Sequence, residues 1–386
     1  MADGLGRMEK LHARFVSGAV PAHGGNLSAE ARRLGVKPHA LLDASASLVP
    51  FRPPRSLQRA LSAGIRGSAL RDYPDRDQWC LRDAIAGWHG LDPACVLPGN
   101  GAAELFTWAA RDAAALGCSV LPSPGFADYR RALQCWQAPQ RLVSLPVTGL
   151  NGPLQSFPLN EGHRSPQDAV LWVTNPHNPT GQLWSRSSLE PLLQRYSLVI
   201  CDEAFLSLVP DGERQSLLPL VEAHPNLVVI RSLTKVLAVA GLRLGYAVAQ
   251  PVRLHRWRQW RDPWPVNGMA LAAGEAVLAD HKGFARWLQQ VHHWVERDGA
   301  WLAQQLQALP GIAPLPAAAN FVLIHSEQSL VPLREALAQR HGVLLRDCRS
   351  FEGLGERWLR IGLQNRRGNR RIIRALRQEI ARQPLV

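Results

Sequence analysis

From about residue 55 to residue 250 the chain alternates short apolar runs with stretches of helical spacing, and this alternation restricts its fold more than any other feature. Apolar runs fall at 95–97, 119–121, 169–174, 198–201, 227–231 and 244–249, and helical spacing at 78–88, 102–116, 126–134, 189–194 and 217–223. Parallel strands need crossover connections, usually helices, so the pattern predicts a mostly parallel sheet covered on both faces. Strands in such a sheet are buried on both sides, which suits a continuous apolar run such as Ala169-Val-Leu-Trp-Val-Thr174.

The flanks read differently. Residues 268–308 form one long helical region with a break near 281–283. Beyond it, strands at 318–325, 343–345 and 358–363, a helix at 329–340 and a tail helix fit a small α+β domain. Ahead of the alternating region lie a short helix at 8–16, then His23-Gly-Gly-Asn26, an extended stretch at 40–48 and a turn at Pro50-Phe-Arg-Pro-Pro54. The predicted organisation is a large domain over 48–285, and a small domain made of 1–47 and 286–386.

Composition excludes several classes. Of 386 residues, 46% are hydrophobic and 19% charged, which describes a soluble globular protein with ample chain for a core. The formal charge of +13 invites a nucleic-acid reading, but the arginines are dispersed. Only the tail from Arg366 to Arg382 is dense, and there Ile372, Ile373, Leu376 and Ile380 recur at helical spacing. Those arginines are the wet face of a terminal helix. Six cysteines without a Cys-x-x-Cys indicate neither a zinc site nor a disulfide framework, so no metal is expected. The N-terminal segment lacks the apolar core of a signal peptide, and no apolar stretch approaches the ~18 residues of a membrane span. The expectation is a cytoplasmic protein with no membrane partner.

Four polar clusters fall just past predicted strands, where open α/β sheets place their ligands. Lys235 is the most telling residue among them. It is one of four lysines against a Lys+Arg total of 44, and it ends Val228-Val-Ile-Arg-Ser-Leu-Thr-Lys235, where a strand runs into Ser-x-x-Lys. A chain that uses arginine wherever it needs charge keeps a lysine here for an amine that can lose its proton, as Schiff-base chemistry requires. Ser232 and Arg243, in Gly241-Leu-Arg-Leu-Gly-Tyr246, add a hydroxyl and a guanidinium suited to phosphate. Gly99-Asn-Gly-Ala-Ala-Glu104 opens a helix whose N–H groups suit an anion. Asn175-Pro-His-Asn-Pro-Thr-Gly181 holds an asparagine in a rigid turn. Asp202, in Asp202-Glu-Ala-Phe205, ends a buried strand and needs a partner, either an arginine or a protonated pyridine nitrogen.

Taken in order, these motifs resemble the fold-type I pyridoxal-phosphate (PLP) enzymes of the class I/II aminotransferase superfamily, from Asp43 to Arg360. The resemblance implies a large domain with a mostly parallel seven-stranded sheet flanked by helices, plus a small α+β domain. It implies PLP as cofactor, Lys235 as the Schiff-base lysine and Asp202 facing the pyridine nitrogen. Asn178 would donate to the phenolic oxygen, and Ala102, Ala103, Ser232 and Arg243 would hold the phosphate. Phe126 takes the place of the aromatic residue that stacks on the ring. Tyr73, in Asp72-Tyr-Pro-Asp75, matches the tyrosine that reaches a neighbouring subunit's cofactor, which implies a homodimer. Arg360, in Trp358-Leu-Arg-Ile-Gly362, matches the arginine that binds the substrate α-carboxylate.

Within the superfamily the chain is similar to the branch shared by histidinol-phosphate aminotransferases and threonine-phosphate decarboxylases. His23-Gly-Gly-Asn26, the Asp43-Ala-Ser-Ala-Ser-Leu-Val-Pro50 segment and Phe205 in place of a tyrosine put it on the decarboxylase side. That implies decarboxylation of L-threonine O-3-phosphate to (R)-1-amino-2-propanol O-2-phosphate, a step of cobalamin biosynthesis, with His23 at the substrate phosphate. The asparagines of the branch's Asn-x-Asn-Pro element are absent, serines standing at 45 and 47. The alternative enzyme is a histidinol-phosphate-type aminotransferase. A transcription regulator with an aminotransferase-like domain would need a winged helix ahead of Asp43, where about 40 residues leave no room for one.

Overall fold

The computed structural model describes residues 23–158 and 169–385. The helix expected at 8–16 lies outside them. In chain order the strands are β1 (Leu42–Ala44), β2 (Val96–Asn100), β3 (Cys118–Ser123), β4 (Gln140–Ser144), β5 (Leu154–Gln155), β6 (Ala169–Thr174), β7 (Leu183–Trp184), β8 (Leu198–Asp202), β9 (Leu227–Ser232), β10 (Leu244–Val248), β11 (Ala313–Pro314), β12 (Phe321–His325), β13 (Val343–Asp347) and β14 (Trp358–Gly362). Seven of them form one sheet in the order β2-β10-β9-β8-β6-β3-β4. Only β10 runs against its neighbours, pairing antiparallel with both β2 and β9. The remaining pairs are parallel.

Burial explains the apolar runs. Every residue of β6, β8 and β9 is buried. Alternate side chains go to two separate packing layers, as the two-residue period of a strand requires. Val170, Trp172, Ile200, Val228 and Ile230 pack against Leu105, Phe106 and Ala109 of the helix Gly101–Leu116. Leu171, Val173, Val199, Cys201 and Val229 pack into the larger cluster on the other face.

The second sheet has the order β1-β13-β14-β12-β11, antiparallel except for the β1–β13 pair. The helices Gly268–Ala279 and His281–Gln307 meet at Asp280, whose carboxylate caps the second, so the expected break is real. The tail helix Arg366–Arg382 buries Ile372, Ile373, Leu376 and Ile380 and exposes Arg367, Arg370, Arg374 and Arg377.

Several local expectations differ from the structure. The stretch 217–223 makes only a 3-10 turn at Leu218–Leu220, and 189–194 a 3-10 turn at Glu190–Gln194 after a single α-turn. Pro191 lacks the amide that would continue the α-turn Arg186–Leu189. Edge strand β4 escaped notice because its burial is only partial and Gln140 and Arg141 hide its pattern. The helix Arg55–Arg66 was missed behind the prolines that begin it, Pro54 being its N-cap. Extended structure at 40–48 shrinks to β1.

Candidate active site

Thr174, Asp202 and Ser232 are the last residues of three adjacent parallel strands. Thr174 lies opposite Asp202, and Asp202 opposite Ile230. The strand period therefore puts all three on the face of Trp172, Ile200 and Ile230. Asp202 and Ser232 border a cavity of about 360 Å³, which His23, Ala102, Ala103, Phe126, Asn178, Lys235, Arg243 and Arg360 also line. Every candidate residue from the sequence is thus gathered in one place except Tyr73. That ring is 79% exposed and stacks on Trp264 at 4.3 Å, away from this chain's cavity.

One end of the cavity is built for an anion. The helix Gly101–Leu116 begins there, and its N-cap residue Asn100 makes no side-chain cap, leaving the first N–H groups to a ligand. Gly101 has φ +69°, and a Cβ there would lie 2.6 Å from Nη2 of Arg243. A Cβ on Gly245 would lie 2.9 Å from the Ala102 nitrogen. The two glycines let guanidinium and strand approach the helix end. Arg243 takes a left-handed backbone, φ +59°, and its Nη1 donates to the Ala240 carbonyl at 3.1 Å. Ser232 Oγ is 2.7 Å from Thr234 Oγ1.

The middle of the cavity holds the titratable groups. Burial, then Arg243 and Arg360, lower the Lys235 ammonium from 10.5 to about 8, against the opposing pull of Asp202. Burial raises Asp202 to about 6, offset by hydrogen bonds from Tyr129 and the Ala204 amide. Asn178 is buried, in a turn braced by Asn175, whose side chain bonds both the amide and the carbonyl of Trp184 at 2.8 and 3.1 Å. Lys235 Nζ lies over the Phe205 ring, 5.9 Å from its centre.

The opposite end carries two buried arginines. Arg360 on β14 and Arg346 on β13 are cross-strand partners, 6% and 4% exposed, and both line the cavity. Burial lowers both, Arg360 to about 10, which leaves both cationic at neutral pH. Arg346 had escaped the sequence reading. Its signal was an arginine in an otherwise apolar strand, Val343-Leu-Leu-Arg346. Tyr129, which binds Asp202, was also missed; its signal was a tyrosine one helical turn after Phe126.

His23 sits at the cavity mouth, 5.5 Å from the Phe126 ring and 4.0 Å from Asp128 Oδ1. Burial lowers its pKa; Asp128 opposes this, while Arg346, Arg131 and Lys235 add to it. The shift disfavours the imidazolium, so the positive charge at this end of the cavity comes chiefly from Arg346 and Arg360. Counted back from Pro50, the missing asparagines fall at Ser47 and Val49, not at 45 and 47. Ser45 has a separate task. Its Oγ donates to Asp43 at 2.6 Å and accepts from the Gly25 amide at 3.0 Å, which fixes the loop carrying His23.

Comparison with known proteins agrees with this geometry. The family "Aminotransferase class I and II" matches residues 46–376, and the chain belongs to that family of PLP-dependent enzymes. It is 34% identical to the threonine-phosphate decarboxylase of Salmonella typhimurium, over 92% of this chain and 96% of that protein. It is 32% identical to the histidinol-phosphate aminotransferase of Symbiobacterium thermophilum, over 90% and 92%. The structure of the histidinol-phosphate aminotransferase from Sinorhizobium meliloti in complex with pyridoxal-5'-phosphate shares the fold, with TM-score 0.76, 22% identity, and coverage of 95% of this chain and 98% of that one.

Proposed function

We propose that this chain binds PLP in the cavity and decarboxylates L-threonine O-3-phosphate to (R)-1-amino-2-propanol O-2-phosphate, as in cobalamin biosynthesis. The residues fit the cofactor, and the cradle made by Gly101, Gly245 and Arg243 is the test of that fit, since a Cβ at either glycine would close it. The N–H groups of Ala102 and Ala103, with Ser232 and Arg243, hold the phosphate; Phe126 covers the ring, Asn178 meets its phenolic oxygen and Asp202 its nitrogen. Bound there, PLP supplies an aldehyde for an amine and a ring that accepts an electron pair from Cα.

The observation that carries the substrate class is the buried Arg346–Arg360 pair. Lining one cavity together, the two guanidinium groups give that end a positive potential suited to an anionic ligand. A substrate with a carboxylate and a phosphate matches it, Arg360 taking the carboxylate and Arg346 with His23 the phosphate. In the reaction the Cα–carboxylate bond breaks, carbon dioxide leaves, and a proton from Lys235 takes its place on Cα. Burial of Lys235 beside two arginines keeps its proton loosely held, as a shuttle requires. Phe205 brings no hydroxyl to the cofactor's phenolic edge.

Supporting the decarboxylase over other members are the resemblance to the Salmonella typhimurium enzyme and the His23-Gly-Gly-Asn26 start. A second reading, transamination of histidinol phosphate, draws on the relative from Symbiobacterium thermophilum and uses the same cavity. Threonine phosphate given without a keto acid separates them. A decarboxylase releases carbon dioxide through many turnovers, whereas an aminotransferase stops after one half-reaction. Turnover of histidinol phosphate with 2-oxoglutarate, and none of threonine phosphate, would select the second reading. We further assign the chain to a cytoplasmic homodimer in which exposed Tyr73 reaches the partner's cofactor phosphate. The large domain spans 48–285, and 1–47 with 286–386 form the small one.

A further inference from the structure

Tyr129 has no place in the roles assigned so far, yet it is fully enclosed beside the central carboxylate. Its hydroxyl is 2.6 Å from Asp202 Oδ2 and 2.7 Å from Thr174 Oγ1. The other carboxylate oxygen, Oδ1, accepts from the Ala204 amide at 2.9 Å. Asp202 is thus gripped at both oxygens, by a backbone amide on its own strand end and by a phenol from the helix Asp128–Gln134.

The ring of Tyr129 is locked as firmly as its hydroxyl. It meets Phe106 edge-on at 5.1 Å, Phe126 at 5.6 Å and Trp172 at 5.1 Å. Phe126 and Tyr129 are three residues apart on one turn, the first facing the cavity and the second reaching beneath it to Asp202. A phenol next to a carboxylate holds its proton tightly. Burial first, then the charge of Asp202, push Tyr129 well above its usual value. Keeping its proton, Tyr129 donates to Asp202, and Thr174 donates to Tyr129 from behind.

We propose that Tyr129, backed by Thr174, is a positioning residue that aims the Asp202 carboxylate at the cofactor's ring nitrogen and keeps it charged. This rests on the cofactor reading above. The other groups facing Asp202 are Lys235 from the turn after β9, which favours its charged form, and Glu203, which opposes it. Glu203 is itself paired with Arg231 at 2.6 Å, and Cys201 is a buried thiol that stays protonated. Tyr129 is the one side-chain hydrogen-bond donor to this carboxylate among the described residues, so its hydroxyl is the part that substitution should expose.

The test uses pyridoxine 5'-phosphate, which has the ring nitrogen and phosphate but no aldehyde, bound to the full-length protein freed of cofactor and followed by tryptophan fluorescence. In the wild type, affinity falls as the pH drops and Asp202 takes up a proton. Tyr129→Phe keeps the packed ring and removes the donor. It should weaken binding about ten- to a hundredfold at pH 7, as expected for loss of a hydrogen bond to a charged group. The pH at which affinity falls should move up by about one unit, because an Asp202 without its donor protonates sooner. Thr174→Val, which leaves the phenol in place, should shift both in the same direction by about threefold and provides the measurement if Tyr129→Phe does not fold. Unchanged affinity and unchanged pH midpoint in the folded variants would overturn the positioning role and leave the cofactor reading standing. A wild-type protein that does not bind the probe would overturn both.

Discussion

Arg360 donates from Nη1 to the side-chain oxygen of Asn178, joining the small sheet to the turn after β6. Its Nη2 reaches the Ser45 carbonyl at 3.3 Å, and its guanidinium lies 4.7 Å from the Phe321 ring centre. With its oxygen committed to Arg360, Asn178 can turn only its amide N–H groups toward the cavity. The residue assigned to the substrate carboxylate therefore also sets the orientation of the one assigned to the cofactor's phenolic oxygen. Arg360→Lys should impair both functions, since an ammonium cannot span Asn178 and Ser45 together. Substrate affinity should fall at least tenfold and the visible cofactor band should shift. A variant with normal affinity and an unmoved band would break the link.

Covalent attachment of the cofactor should occur at Lys235. Borohydride treatment of the cofactor-loaded protein should bleach its visible band and leave a mass adduct on the peptide containing Lys235. Lys235→Ala should yield no adduct. Lys37 and Lys282 are exposed and far from such an environment. An adduct on either instead of Lys235 would refute the site.

The rate of that attachment should follow the ionisation of the amine. Only the neutral amine attacks an aldehyde, and in this cavity the ammonium is lowered to about 8. The rate should therefore climb as pH rises from 6 and level off above about 8, well before an ordinary lysine would. Removing one cation, as in Arg243→Met, should move the plateau to higher pH. A profile still rising steeply through pH 10 would contradict the assigned environment.

Asp202→Asn should fold normally and lose most of its kcat with a smaller change in substrate affinity, because a neutral amide cannot hold the ring nitrogen protonated. His23→Ala should weaken substrate binding by about 1.5–3 kcal/mol if its N–H meets the phosphate. Near-normal kcat in the first variant, or undiminished binding in the second, would remove that residue from the site.

Arg231 and Glu203 form a pair 2% and 0% exposed on the face of the sheet away from the cavity, with Glu213 as a third member 2.7 Å from Arg231. Arg231→Met leaves Glu203 buried without its partner and should cost about 3–5 kcal/mol of stability, read by denaturant unfolding. A loss below about 1 kcal/mol would place the pair among weak surface bridges.

Much of this was legible in the chain. Continuous apolar runs of four or five residues define fully buried parallel strands, and a polar residue that ends such a run sits at the strand's end. Asp202 and Ser232, with Lys235 three residues on, are legible in this way because burial and the two-residue period are local properties of sequence. The family motifs then located Asn178, Arg243 and Arg360. What remained hidden depends on chain segments far apart in sequence. Arg346 lies opposite Arg360 only through strand pairing, and Tyr129 finds Asp202, 73 positions away, only because a helix packs across the strand ends. The lowered pKa of His23 was hidden for the same reason: it comes from burial and from cations on other elements. Sequence alone determined which strands are buried and which groups end them, since hydrophobic periodicity acts over a few residues. Which groups touch, and how their protons are held, was decided by tertiary packing, because desolvation and Coulomb interactions depend on distance in space.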